Sequence, residues 1–217
     1  AAADWIAARL GDVGLEVHRA AFPAVIGESA PVTMENVWGI SAGSDRAGEI
    51  VIALGNYDMA PTSYQAASDT AGHVGAVLEL ARLIHGTRHR RTFIFLFPDG
   101  EEWGMLGARH FARTFPQRRR IVAALSIEDL DPGNLAALGV DGIGKFRGFA
   151  PMWLRSLAAA AAAREGYPVV ETDPVSEWLA RAVLVSATDQ GPFLGAGVPA
   201  VDLAGRGDDP ALKDDVY

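Results

Sequence analysis

The run EIVIALGNYD, residues 49–58, sets an unbroken apolar stretch directly before Asn56, Tyr57 and Asp58. A continuous apolar run of this length, rich in β-branched residues and closed by glycine, is the mark of a strand buried on both faces. Strands of that kind belong to parallel sheets covered by helices. Two further runs repeat the pattern, RTFIFLF (91–97) before PDG and IVAALSIEDL (121–130). Between the first two, apolar residues recur at Val74, Val77, Leu78, Ala81 and Ile84, which is helical spacing, with Ser68, Asp69 and Thr70 as capping residues.

Outward from this centre the chain goes on alternating. ADWIAARL (3–10) reads as a helix, and GLEVHRAAF (14–22) and ENVWGISAG (35–43) as strands. EWGMLGARHFARTF (102–115) and APMWLRSLAAAAAAREG (150–166) read as helices, and RAVLVS (181–186) and VPAVDLAG (198–205) as short closing strands. The alanine run 158–163 is ordinary helix. No repeat and no linker divides the chain. The expectation is one α/β domain over 1–217, with a mostly parallel central sheet and helices on both faces.

The chain has 217 residues, 49% of them hydrophobic, enough for a full core in one domain. A formal net charge of −8 argues against nucleic-acid binding. No apolar run reaches the ~20 residues that span a bilayer. Without cysteine there are no disulfides, no Cys-zinc sites and no thiol chemistry. With no initiator Met and no signal peptide, the chain reads as processed or excised from something larger.

Parallel sheets place their ligand sites beyond the carboxyl ends of the strands. That rule gathers Asp58, Asp69, Asp99, Glu101, Glu102, Asp129 and Asp189 at one edge. Singly, such acids are solvated loop residues. Together they require a cation or raised pKa values, because close carboxylates repel.

The segments GNYD, ASDTAGHVGAVLELARL, RTFIFLFPDGEEWGMLGARHFA, SIEDLD and TDQGPFLGAGVPAV, in this order, resemble the co-catalytic di-zinc aminopeptidase family. That family includes bacterial leucyl aminopeptidases, glutamate carboxypeptidases and the single-zinc glutaminyl cyclases. The resemblance implies two zinc ions and a set of roles. The first motif, His-x-Asp, reads Asn56-Tyr57-Asp58: the zinc-binding histidine is absent, and the aspartate that orients it is Asp58. Asp69 matches the bridging ligand, Glu101 the general base, Glu102 and Asp129 further metal ligands. The last motif, Ser/Thr-Asp-His, reads Thr188-Asp189-Gln190, so the second histidine is absent too, with Asp189 behind it.

One imidazole is therefore missing from each implied metal. A carboxamide oxygen is a weak, neutral ligand beside imidazole. Asp69, Glu102, Asp129, Asn56 and Gln190 make an all-oxygen set, suited to no metal or to a single hard cation, Ca²⁺, Mg²⁺ or Mn²⁺. His73, where the family usually has glycine, lies one helical turn after Asp69 and has two readings, a replacement metal ligand or a packing or capping histidine; the second is favoured because its side chain should run along the helix. His110 reads as a helix-surface residue.

Two functions follow from the resemblance. One is an aminopeptidase-fold domain with a degraded metal site, non-catalytic or weakly active, binding a peptide or protein ligand within a larger protein or assembly. The family includes such members, among them the ectodomains of transferrin receptor and nicastrin. The other is a working metal-dependent aminopeptidase with Glu101 as base and an altered metal site. A final helix expected after GDDPALKDDVY (207–217) is missing, which reads as truncation at the C-terminus. Relatives are commonly exported, which suggests a periplasmic, secreted or luminal location.

Overall fold

The computed structural model describes residues 2–59, 67–130, 135–144, 148–170, 174–183, 186 and 188–207. Helix α1 (Ala2–Val13) buries Ile6 and Leu10, one turn apart, and stops at Gly14, which takes φ +93°. Strands β1 (Glu16–Ala24) and β2 (Val32–Ser41) follow as an antiparallel pair, then β3 (Arg46–Leu54). A π-helical turn (Ala67–Gly72) leads into α2 (His73–His85). Then come β4 (Arg91–Phe97), α3 (Leu106–Thr114), β5 (Ile121–Glu128), β6 (Leu135–Asp141) and α4 (Met152–Arg164). The two-residue β7 (Val169–Val170), α5 (Pro174–Val183), the short α6 (Gln190–Gly195) and β8 (Ala200–Gly207) complete the described elements.

All eight strands lie in one sheet, in the order β1-β2-β4-β3-β5-β8-β6-β7. The centre is parallel: β3 pairs with β4 and β5, and β5 with β8, all in the same direction. The antiparallel pairs, β1–β2, β2–β4 and β6–β8, flank it. The mostly parallel sheet expected from the apolar runs is thus present. Helices cover both faces. On one, Ile6 and Leu10 of α1 and Val74, Val77 and Ala81 of α2 pack on Val37, Ala53 and Phe95. On the other, Phe111 of α3 and Phe193 of α6 pack with Ile52, Leu54, Ile94 and Leu96. Alternate residues of β3 and β4 thus serve opposite cores, which is why these runs carry no polar alternation.

The strand expected at RAVLVS is not observed. Arg181, Ala182 and Val183 end helix α5, and residues 184, 185 and 187 lie outside the described set. Val175, Trp178, Leu179, Ala182 and Val183 follow helical spacing, and Pro174 opens the helix where a missing N–H costs nothing. That period outweighs the β-branched content of the segment. Strand β6, LAALGVD, carries little strand propensity of its own. It forms by antiparallel pairing along β8, and Gly139 lets the Arg206 guanidinium lie close: an added Cβ would sit 3.1 Å from Nη2. The second long helix begins at Leu106 rather than near Glu102, because Gly104 (φ +95°) and Met105 (φ +58°) turn the chain first.

Phe95 is fully buried at the centre of the sheet, stacked against Phe93. Phe95→Ala is expected to cost about 3–5 kcal/mol through lost transfer energy and a cavity. Urea denaturation measures it, and a loss under about 1 kcal/mol would contradict this packing.

Candidate metal and catalytic site

The parallel strands β3, β4 and β5 end together, so the residues after them meet. Asn56, Tyr57 and Asp58 follow β3, Asp99, Glu101 and Glu102 follow β4, and Asp129 follows β5. Asp58 joins two of these loops. Its Oδ1 accepts the Glu101 backbone N–H at 3.0 Å and its Oδ2 that of Glu102 at 3.2 Å. Burial pushes its carboxyl up from the ordinary range, against those two backbone donors. Thr70 in the π-helical turn donates to the Asp58 carbonyl at 3.0 Å, tying the start of α2 to the same loop. Gly100 (φ +78°) lets the PDGEE turn form.

Asp99 lies at this edge but serves the backbone, its Oδ2 accepting the Glu35 N–H at 3.0 Å. Asn36, at the same end of β2, accepts from Asp99 N at 3.2 Å and donates to Gly107 O at 2.9 Å. Asp129 takes φ +48°, a left-handed conformation that aspartate tolerates better than most residues. The backbone of Asp69 lies in the π-helical turn, and its side chain is outside the described residues.

Asp189 reaches the site from the last turn before α6 rather than from a strand end. It is fully buried, and neither carboxylate oxygen has a hydrogen-bond partner among the described residues. Burial drives its carboxyl well above the usual range, and the charges of Glu101, Glu128 and Asp58 push the same way. Glu128 and Asp202 are members that the strand-end rule misses. Glu128 Oε1 accepts from Ser126 Oγ at 2.9 Å and from Asp189 N at 3.2 Å. Asp202 pairs in register with Ser126, is buried, and is likewise pushed up, by burial and then by Glu128. Two-residue alternation along Ser126-Ile127-Glu128 is the signal that would have put Glu128 beside Ser126 on one face.

Asn56 and Gln190 are the two amides that the sequence resemblance sets at histidine positions. Asn56 is buried and its Nδ2 donates to the Asp58 carbonyl at 3.2 Å and to Asp58 Oδ1 at 3.4 Å. Gln190 is fully buried, accepting at Oε1 from the Thr188 hydroxyl and donating at Nε2 to Ile143 O at 3.3 Å. His73, also fully buried, faces the Asn56 carbonyl through Nε2 at 2.9 Å. It is therefore a packed core residue, as expected. His110 stacks on Phe22 at 4.5 Å between ring centroids, so it packs rather than standing free on the helix surface.

A family model described as peptidase family M28 matches residues 36–215. The chain belongs to peptidase family M28. It is 30% identical over 129 residues to a probable zinc metalloprotease of Leptosphaeria maculans, covering 52% of this chain and 30% of that protein. It is 28% identical over 162 residues to a vacuolar membrane protease of Candida albicans, covering 75% of this chain and 18% of that one. The M28 chain thus spans less than a third of either relative. Among solved structures, a leucine aminopeptidase precursor from Bacteroides thetaiotaomicron superposes with a TM-score of 0.74 at 16% identity, over 96% of this chain and 77% of that one. This likeness is one of fold.

The family implies zinc. The residues of this M28 chain do not fit a zinc pair held as the aligned motifs would hold it. At the two positions where the resemblance expects imidazoles stand carboxamides, and both amide ends of Gln190 are already engaged. Among the described residues no three His, Cys, Asp or Glu side chains stand together as a ready metal cage.

The buried acids make a pH prediction. An unfolded aspartate ionises near pH 4, whereas Asp189 and Asp202 keep their protons to higher pH when folded. In that window the native state binds more protons than the unfolded state, so stability falls as pH rises. Asp189→Asn, in metal-free buffer with chelator, is expected to flatten this fall and to stabilise the protein at pH 7. Urea midpoints at pH 4.5 and 7 measure it, and an Asp189→Asn protein with an unchanged pH slope would contradict the assignment.

Proposed function

We propose that this chain is an M28-fold domain whose metal centre no longer performs zinc-pair hydrolysis, and that it binds a peptide or protein ligand as part of a larger polypeptide. The observation that carries this reading is the pair of amides at the histidine positions. Gln190 is built into the protein by Thr188 and Ile143, and Asn56 hydrogen-bonds to Asp58. A carboxamide cannot replace imidazole as a zinc ligand of comparable strength. Without a metal-activated water, Glu101 is a base with no nucleophile to deprotonate. The metal complement in this reading is at most one cation, with Asp69, Glu102 and Asp129 as the remaining ligand positions. The name of the Candida relative supports a luminal or otherwise extracytoplasmic location. No described helix is long and apolar enough to cross a membrane.

A second reading draws on one specific feature. Asp58 grips the backbone of both Glu101 and Glu102, which keeps the turn that carries Glu101 in an ordered form suited to an aminopeptidase with an altered metal site.

Leucine p-nitroanilide assays with added Zn²⁺, Mn²⁺ or Co²⁺ separate the two. The expected result is no turnover above that of Glu101→Gln. Turnover that Glu101→Gln abolishes would establish the second reading. Asn56→His combined with Gln190→His is expected to tighten Zn²⁺ binding by more than about tenfold, a scale on which even hydrogen-bond partners of metal ligands act. Either single change should gain less. Calorimetry measures this, with circular dichroism to confirm folding, and equal affinity in parent and double variant would mean that positions 56 and 190 do not face the metal.

A further inference from the structure

Helix α3 covers the β1–β2 pair incompletely, and among the described residues two cavities open along this seam. The first, about 540 Å³, is lined by Glu16, His18, Trp38, Phe111, Thr114 and Phe115, with further residues of β2 and β4. The second, about 340 Å³, is lined by Phe22, Leu106, Arg109, His110 and Arg113. His110 and Thr114 line both, so the two adjoin at the last turns of α3. Each volume falls in the range of roughly 300–1,000 Å³ that small-molecule sites occupy. None of Asp58, Asp99, Glu101, Glu102 and Asp129 lines either one.

The first cavity is aromatic. His18 stacks on Trp38 with ring centroids 5.3 Å apart, Phe111 meets Trp38 edge-on at 5.3 Å, and Phe115 stacks on Phe111 at 4.7 Å. A flat ring gains more against such a wall than its buried area alone supplies. The second cavity is basic. Arg109 and Arg113 stand one helical turn apart on α3, and among the described residues neither side chain has a hydrogen bond or ion pair and no Asp or Glu lines this cavity. Unpaired guanidiniums select an anion, and their forked donors match a carboxylate. His110 adds a ring face rather than a charge: it stacks on Phe22, and burial lowers its pKa. Glu16 sets the direction. It lies six residues before Phe22 on β1, about 20 Å along the strand, and repels an acid group from the far end of the first cavity.

We propose that this cleft binds a small aromatic carboxylate, its ring in the first cavity against Trp38 and Phe111 and its acid group held by Arg109 and Arg113. A free aromatic acid and the carboxyl end of a peptide that closes on an aromatic residue carry this same chemistry. The site is separate from the strand-end acids, so it stands whether or not the metal centre is catalytic.

The probe is indole-3-propionate, titrated into the ¹⁵N-labelled chain, with its uncharged amide and tryptamine as controls. Saturable shifts are expected at the Trp38 indole N–H and the Thr114 amide, half-complete at about 1 mM or below, the scale of a ligand of this size. The amide and tryptamine should bind at least tenfold more weakly. Arg109→Gln combined with Arg113→Gln should bring the acid down to the affinity of its amide and leave the amide unchanged, a split that general loss of structure does not produce. Thr114→Trp, which fills the junction of the cavities, should abolish binding of both, with circular dichroism confirming the fold of every variant. Gly-Gly-Phe, free or amidated at its carboxyl end, separates the two sources. Tighter binding than indole-3-propionate, lost on amidation, assigns the site to peptide carboxyl ends, and weaker binding assigns it to free acids. No saturable shift at Trp38, shifts confined to Asn56 and Asp58, or equal affinity for acid and amide in the parent chain would each overturn the proposal.

Discussion

The carboxylate of Asp58 is the joint on which the site edge depends. It receives the backbone N–H groups of Glu101 and Glu102 and so binds the loop after β3 to the loop after β4. Asn36 forms a second clamp, holding Asp99 and Gly107 from the neighbouring β2. Gly107 has to be glycine, since a Cβ there would lie 2.4 Å from both Asn36 Oδ1 and the Asp99 carbonyl. These constraints fix the backbone path of the Glu101–Glu102 turn.

The same edge concentrates negative charge. Asp189 and Asp202 are buried, and each feels several other carboxylates. A low-dielectric surrounding disfavours their ionised forms, so protons remain on them where exposed aspartates would be charged. Burial and backbone hydrogen bonds hold Asp58 and Asp189 in place independently of any ligand.

Membership of family M28 speaks first to the scaffold. The sheet order, the strand-end loops and the acid positions belong to the family's scaffold, while hydrolysis depends on a few donor atoms set upon it. Gln190 is itself fully buried and hydrogen-bonded, a packed part of that scaffold.

The sequence by itself determined the parallel centre of the sheet, since only strands covered on both faces tolerate runs such as EIVIALG and RTFIFLF. It also located the strand-end acids, because motif order is a one-dimensional property. Tertiary structure decided the rest. Strand β6 exists only because β8 offers it a partner, and RAV at 181–183 is helical because its helical period extends back to Pro174. Glu128 and Asp202 enter the site through sheet register, which no local pattern states. The place of His73 depends on a carbonyl seventeen residues away in the chain, and burial and hydrogen-bond pairing across such distances are settled only when the strands have met.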